Sequence, residues 1–111
     1  MKYTVKETDQ FLNDLEESAT WILSSNLEQS ESLTEKKVTE FAAEINSLKD
    51  RLEKFPESGE NDTIDGVRKF PVYNGRYSTK WIVDHSQKVV TLISLSDSKY
   101  PKELRHFQFN E

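Results

Sequence analysis

The chain has 111 residues, 20 Asp/Glu against 15 Lys/Arg for a formal net charge of −5, and no cysteine. That length suits a single domain spanning 1–111 with room for a buried core, and the missing cysteines exclude a disulfide framework, a thiolate metal site and a cysteine nucleophile. An acidic total argues against a general nucleic-acid binder, yet residues 1–66 carry a net of −9 and residues 67–111 a net of +4. Such polarity points to a charged partner, although an excess of Glu also serves simply to solvate two helices. The start, Met1-Lys2-Tyr3-Thr4-Val5-Lys6, lacks the apolar stretch of a signal peptide, and no run approaches the roughly 18 apolar residues of a membrane span. The expectation is a soluble cytoplasmic protein with no membrane partner.

In chain order, residues 2–7 alternate Tyr3 and Val5 against Lys2, Thr4 and Lys6, which suits a short strand with one buried face. Thr8 is a candidate N-cap with Asp9 in the first turn. Phe11, Leu12, Leu15, Ala19, Ile22 and Leu23 then predict a helix over about 9–27. Ser32 with Glu35 fits a capping box, with Thr34 as an alternative cap. Val38, Phe41, Ala42, Ile45, Leu48, Leu52 and Phe55 form one stripe, predicting a second helix over about 34–54 that Pro56 closes. Residues 57–66 read as a polar loop with Gly59 and Gly66 as breakers, long enough to suggest mobility.

Two strand-like runs flank Asn74-Gly75, the dipeptide best suited to a two-residue type I′ turn. With Tyr73 facing Arg76, the register runs Val72 with Tyr77, Pro71 with Ser78, Phe70 with Thr79, Lys69 with Lys80 and Arg68 with Trp81. Paired residues share a face. One face then carries Val72, Tyr77, Phe70, Thr79, Trp81 and Val83 and reads as core. The other carries Arg76, Ser78, Lys69 and Lys80, three cations with no carboxylate until Asp84, and reads as a surface able to meet phosphate. After a turn near His85-Ser86-Gln87, residues 88–96 are apolar on both faces, as in a central strand. Pro101 and residues 102–109 suggest a short terminal helix or an added edge element. The order β-α-α-β-β-β predicts an α+β fold, a helical hairpin packed on a mostly antiparallel sheet.

This pattern resembles the RelE/ParE superfamily, bacterial toxins of type II toxin–antitoxin pairs. The matching residues are Phe11-Leu12-Asn13-Asp14-Leu15, Ile45-Asn46-Ser47-Leu48 followed by Pro56-Glu57-Ser58-Gly59, Gly66-Val67-Arg68, Gly75-Arg76-Tyr77 and the apolar strand 89–95. The resemblance covers nearly the whole chain, and the order and spacing of its motifs carry it. It implies growth inhibition, a part in plasmid stabilisation, and neutralisation by a cognate antitoxin. The target it implies is DNA gyrase in the ParE branch, or the ribosome with its mRNA in the RelE branch. The sequence departs from the nuclease branch at two places. Ser78 stands where an arginine commonly faces the scissile phosphate, and Ser96-Asp97-Ser98-Lys99-Tyr100 lacks the usual Arg or His, with Tyr100 matching the terminal tyrosine.

RNA cleavage by 2′-OH attack needs a base, cations for the phosphorane and an acid for the leaving oxygen. The candidate catalytic residues are Arg76, Lys80 and Tyr100, and the candidate phosphate or target contacts are Lys69, Arg76, Lys80 and, if a bulge turns it outward, Arg68. On the core side instead, Arg68 would lie over Trp81. Tyr77 reads as core, and Trp21 and Trp81 as core or near it. A serine at 78 cannot stabilise a phosphorane, and a lost donor of that kind costs on the order of 10²–10³ in rate. The expectation therefore leans to a ParE-like toxin without nuclease chemistry. The alternatives are a metal-independent mRNA endoribonuclease and a toxin-fold domain that only binds an antitoxin-like partner. His85 and His106 lack matched carboxylate spacing, so neither a metal nor another cofactor is expected. The residues do not decide for or against a homodimer.

Overall fold

In a computed structural model of the chain, residues 2–25 and 31–97 are described, with their side chains over 2–24 and 33–97. The elements are β1 (Thr4–Glu7), α1 (Asp9–Ser25), α2 (Glu31–Lys54), β2 (Glu60–Asn61), β3 (Val67–Val72), β4 (Tyr77–Asp84) and β5 (Val89–Asp97). The strands form one sheet in the order β1-β5-β4-β3-β2, with β1 parallel to β5 and the other neighbours antiparallel. The helical hairpin covers one face, which makes the expected α+β fold.

Capping and stripe explain the helices. Thr8 Oγ1 accepts the N–H of Phe11 at 3.0 Å, satisfying a first-turn donor. Phe11 and Ile22 of α1, with Phe41, Ile45, Leu48 and Leu52 of α2, face the sheet and join Val72, Tyr77, Trp81, Val90, Leu92 and Leu95 in the core. Leu12 and Leu23 are exposed, and so is Phe55, which lies beyond the helix end. The second helix already runs at Glu31, so Ser32 and Thr34 lie inside it rather than capping it; residues 26–30 are outside the described residues.

The hairpin register is the expected one at all five pairs, and Val67 adds a sixth opposite Ile82. Asn74 and Gly75 have φ of 56° and 81°, and Arg76 N–H donates to Tyr73 O at 3.1 Å, as a type I′ turn requires. Tyr73 is also left-handed, at φ 54°, which costs about 1–2 kcal/mol for an L-residue. Its N–H donates to Glu44 Oε2 at 2.7 Å and its ring meets Phe41 edge-on, which offset that strain.

Two features were not expected. The polar loop 57–66 contains β2, which pairs Glu60 and Asn61 with Lys69 and Arg68. Gly59 in that loop has φ 86°, and a Cβ there would collide with Lys69 O, so the loop is pressed against β3. In β5, the register against β4 shifts between Ser94 and Leu92, leaving Ile93 as an extra residue. Asp14 of α1, only 2% exposed, anchors the strand just beyond this bulge: its Oδ2 accepts Leu95 N–H at 3.0 Å.

Candidate functional site

The helices leave one face of the sheet open, and the pairing register decides what that face displays. Lys69 and Lys80 stand opposite one another, Ser94 stands beside Lys80, and Ser78 stands between Pro71 and Ser96. The structure thus brings Lys69, Ser78 and Lys80 together as the hairpin register implies. It adds a residue the sequence reading missed. Asp62, on the segment after β2, places its carboxylate 3.6 Å from Lys80 Nζ and 3.9 Å from Lys69 Nζ, with its side chain 6% exposed. The expectation of no carboxylate before Asp84 therefore fails on this face. Asp62 has no periodic sequence signature, because its position depends on the return of the chain through the left-handed Gly66, at φ 82°.

Arg76 departs from the expected arrangement too. It belongs to the turn, and its long side chain swings to the helix-covered side instead of joining Lys69 and Lys80. There Nε and Nη2 donate to Asp97 Oδ2 at 3.2 and 3.1 Å, and the guanidinium lies 4.2 Å from the centre of the Trp21 ring. Asp97 is available there because it pairs with Tyr77 across β4 and β5, and paired residues share a face. Trp21 is 42% exposed and lies at the rim of the core, while Trp81 is fully buried. Arg68 forms no stack on Trp81. It donates to Gly59 O and Asn61 Oδ1 at 3.1 and 2.9 Å and fastens the β2 loop, while Trp81 Nε1–H donates to Pro56 O at 2.8 Å.

Tyr77 lies in the core beneath this network, 3% exposed, with rings of Phe41 and Tyr73 nearby. Its hydroxyl makes no hydrogen bond of good geometry among the described residues, although the Ser18 side chain is near enough to favour the ionised form. Burial raises its pKa above 10.0, Asp97 raises it further, and Arg76 opposes both. On the far side, His85 Nδ1 lies 2.7 Å from Tyr3 Oη and its Nε2 2.7 Å from Glu57 Oε1, a chain joining three separate segments. No group of three or more metal-ligating side chains occurs among the described residues. Tyr100 and His106 lie outside the described residues.

A second surface feature is a groove of about 470 Å³ between α2 and the edge of β3. Leu48, Phe70 and Val72 give it apolar lining, and Glu40, Glu44 and Arg51, the last lying over the Phe70 ring, give it charged lining. Beyond Lys69, β2 no longer covers that edge, so Phe70–Val72 has an unpaired side among the described residues.

No protein-family model and no curated protein matches this sequence. Solved structures do match. A chain of the chromosomal ParDE TA system from P. aeruginosa superposes with a TM-score of 0.63 at 15% identity, covering 86% of this chain and 96% of that one. A mutant E. coli toxin RelE in the free state gives 0.57 at 12% identity, covering 96% and 93%. The archaeal RelE–RelB complex from Pyrococcus horikoshii OT3 gives 0.52 at 16% identity, covering 87% and 96%. With its helical hairpin laid over one side of a five-stranded sheet, this chain has the RelE/ParE toxin fold.

Proposed function

We propose that this chain is the toxin of a type II toxin–antitoxin pair, neutralised by a cognate antitoxin, and that it arrests growth without cleaving RNA, in the gyrase-directed manner that the ParE resemblance implies. One observation carries the choice against nuclease chemistry: a carboxylate stands beside three of the four cations expected to meet phosphate, and the fourth, Arg68, is turned to the β2 loop. Asp62 lies between Lys69 and Lys80, and Arg76 is bonded to Asp97. Ser78 adds no charge to replace them. A phosphorane needs uncompensated positive charge aimed at its oxygens, and this face supplies a net of one charge from three groups.

The groove beside β3 supports the antitoxin half of the reading. An amphipathic segment with apolar anchors would fill Leu48, Phe70 and Val72, and basic residues flanking those anchors would meet Glu40 and Glu44.

Three measurements test the proposal together. Co-expression with the neighbouring gene, if it encodes the antitoxin this reading requires, should give co-elution on size exclusion. Induction of the chain alone should arrest growth and inhibit supercoiling by purified gyrase. Primer extension on translating ribosomes should show no cleavage, either with the natural chain or with Ser78→Arg. Cleavage by the natural chain would replace this reading with the endoribonuclease one. Co-elution without growth arrest would leave a domain that binds an antitoxin and is not toxic.

A further inference from the structure

We infer that Asp62 is the specificity-determining residue that keeps the open face of this sheet from holding a nucleic-acid phosphodiester, by standing in the anion position that Lys69 and Lys80 create. This rests on the reading above, in which the natural chain does not act on RNA, and gives that reading a physical cause. Lys69 and Lys80 face each other in register, and like charges placed directly opposite destabilise a strand pair unless a counter-charge joins them. Asp62 supplies it from outside the pair, its N–H donating to Val67 O at 2.9 Å where the chain turns back.

The carboxylate is poorly held for a group so buried. Its Oδ2 accepts no hydrogen bond among the described residues, and both ammonium groups stand beyond hydrogen-bonding reach, at 3.6 and 3.9 Å. Desolvation without directional bonds is costly for a carboxylate. The lysine side chains, meanwhile, remain 37% and 26% exposed, open on their outer side to a ligand. Ser94 beside Lys80, and Ser78 opposite Ser96, border the position with hydroxyl donors. With Asp62 the three groups sum to one positive charge; with a neutral residue there they sum to two. A phosphodiester along this face would then meet both lysines without a competing anion.

The test is fluorescence anisotropy of a short labelled single-stranded RNA titrated with the natural chain and with Asp62→Asn, each checked by circular dichroism. The variant should bind about tenfold tighter at low salt, since a like charge within about 4 Å of the phosphate is removed. Its log–log salt dependence should steepen by about 0.7 for each phosphate newly engaged. Adding Lys69→Met and Lys80→Met should abolish the gain. Asp62→Ser replaces Asp62→Asn if the latter does not fold. A folded neutral variant that binds RNA no tighter overturns the inference. So does a gain that survives loss of both lysines, or a chain that folds with no neutral residue at 62, since Asp62 is then a structural ion. The readout involves neither antitoxin nor gyrase, so growth arrest and co-elution can fail while this result stands, and the reverse.

Discussion

The two faces of the sheet treat charge differently. On the helix-covered face, charged groups are held by directional bonds: Asp14 accepts Leu95 N–H at 3.0 Å, and Arg76 donates twice to Asp97 at 3.2 and 3.1 Å while stacking on Trp21. On the open face, Lys69, Lys80 and Asp62 are held only by proximity, at 3.6 and 3.9 Å. The first arrangement fixes where the helix and the hairpin tip sit on the sheet. The second adjusts how the surface looks to an anion and contributes little to holding the strands, which backbone pairing already joins. Substitutions on the two faces should therefore separate stability from binding.

The largest separation is expected at Asp14. Asp14→Ala removes the acceptor of a buried strand N–H next to the β5 bulge, and a buried donor left without its charged partner costs about 2–3 kcal/mol. Asp14→Asn retains an acceptor oxygen and should recover part of that loss. Urea unfolding midpoints of the three chains measure it. Equal midpoints would show that Asp14 does not anchor α1 to β5.

Arg76 tests whether a residue belongs to the face its pairing suggests or to the one its side chain reaches. Arg76→Ala should cost about 1–2 kcal/mol, from the lost pair with Asp97 and the lost stack on Trp21. Lys69→Ala should stay within about 0.5 kcal/mol, as exposed ion pairs do. Arg76→Lys should restore little, because an ammonium lacks the planar fork. If both alanine variants lose the same small amount in thermal unfolding, the contrast between the faces is wrong.

What the sequence made legible follows from how local the cause is. Asn74-Gly75 favours one turn geometry, that geometry sets the register, and the register assigns every strand residue to a face, so the buried set Val72, Tyr77, Thr79 and Trp81 was readable in advance. The stripe from Phe41 to Leu52 was equally plain. Asp62 was not readable, because its approach to Lys69 and Lys80 needs a loop path that leaves no period in the sequence. Pairing places a Cβ, but the guanidinium of Arg76 lies several bonds further out and followed Asp97 to the other side. Strand β2 is two residues long, too short for any alternation to show. The resemblance pointed to Asp14 within its Phe-Leu-Asn-Asp-Leu motif, yet only the structure revealed the bond from Leu95 that gives the carboxylate its structural role.

Tyr77 offers the smallest expected effect and the finest test of the covered face, since its hydroxyl, like that of Thr79, is buried there without a well-formed hydrogen bond among the described residues. Burial is the main cause of its raised pKa, with Asp97 adding to it, so the folded state holds the phenol proton to higher pH than the unfolded chain does. The sign follows from linkage: the contribution is fully present below about pH 10, where both states are protonated. It is lost as pH rises from there through the folded-state pKa, because the unfolded chain ionises first. Tyr77→Phe removes that titration and also a buried hydroxyl without a well-formed hydrogen bond, so at neutral pH it should be neutral or stabilising by about 1 kcal/mol. Urea midpoints at pH 7 and at rising pH above 9 read both effects: the natural chain should lose stability more steeply than Tyr77→Phe on the alkaline side. A large loss at pH 7 in the variant would mean that the hydroxyl is firmly bonded, with the Ser18 side chain as its partner.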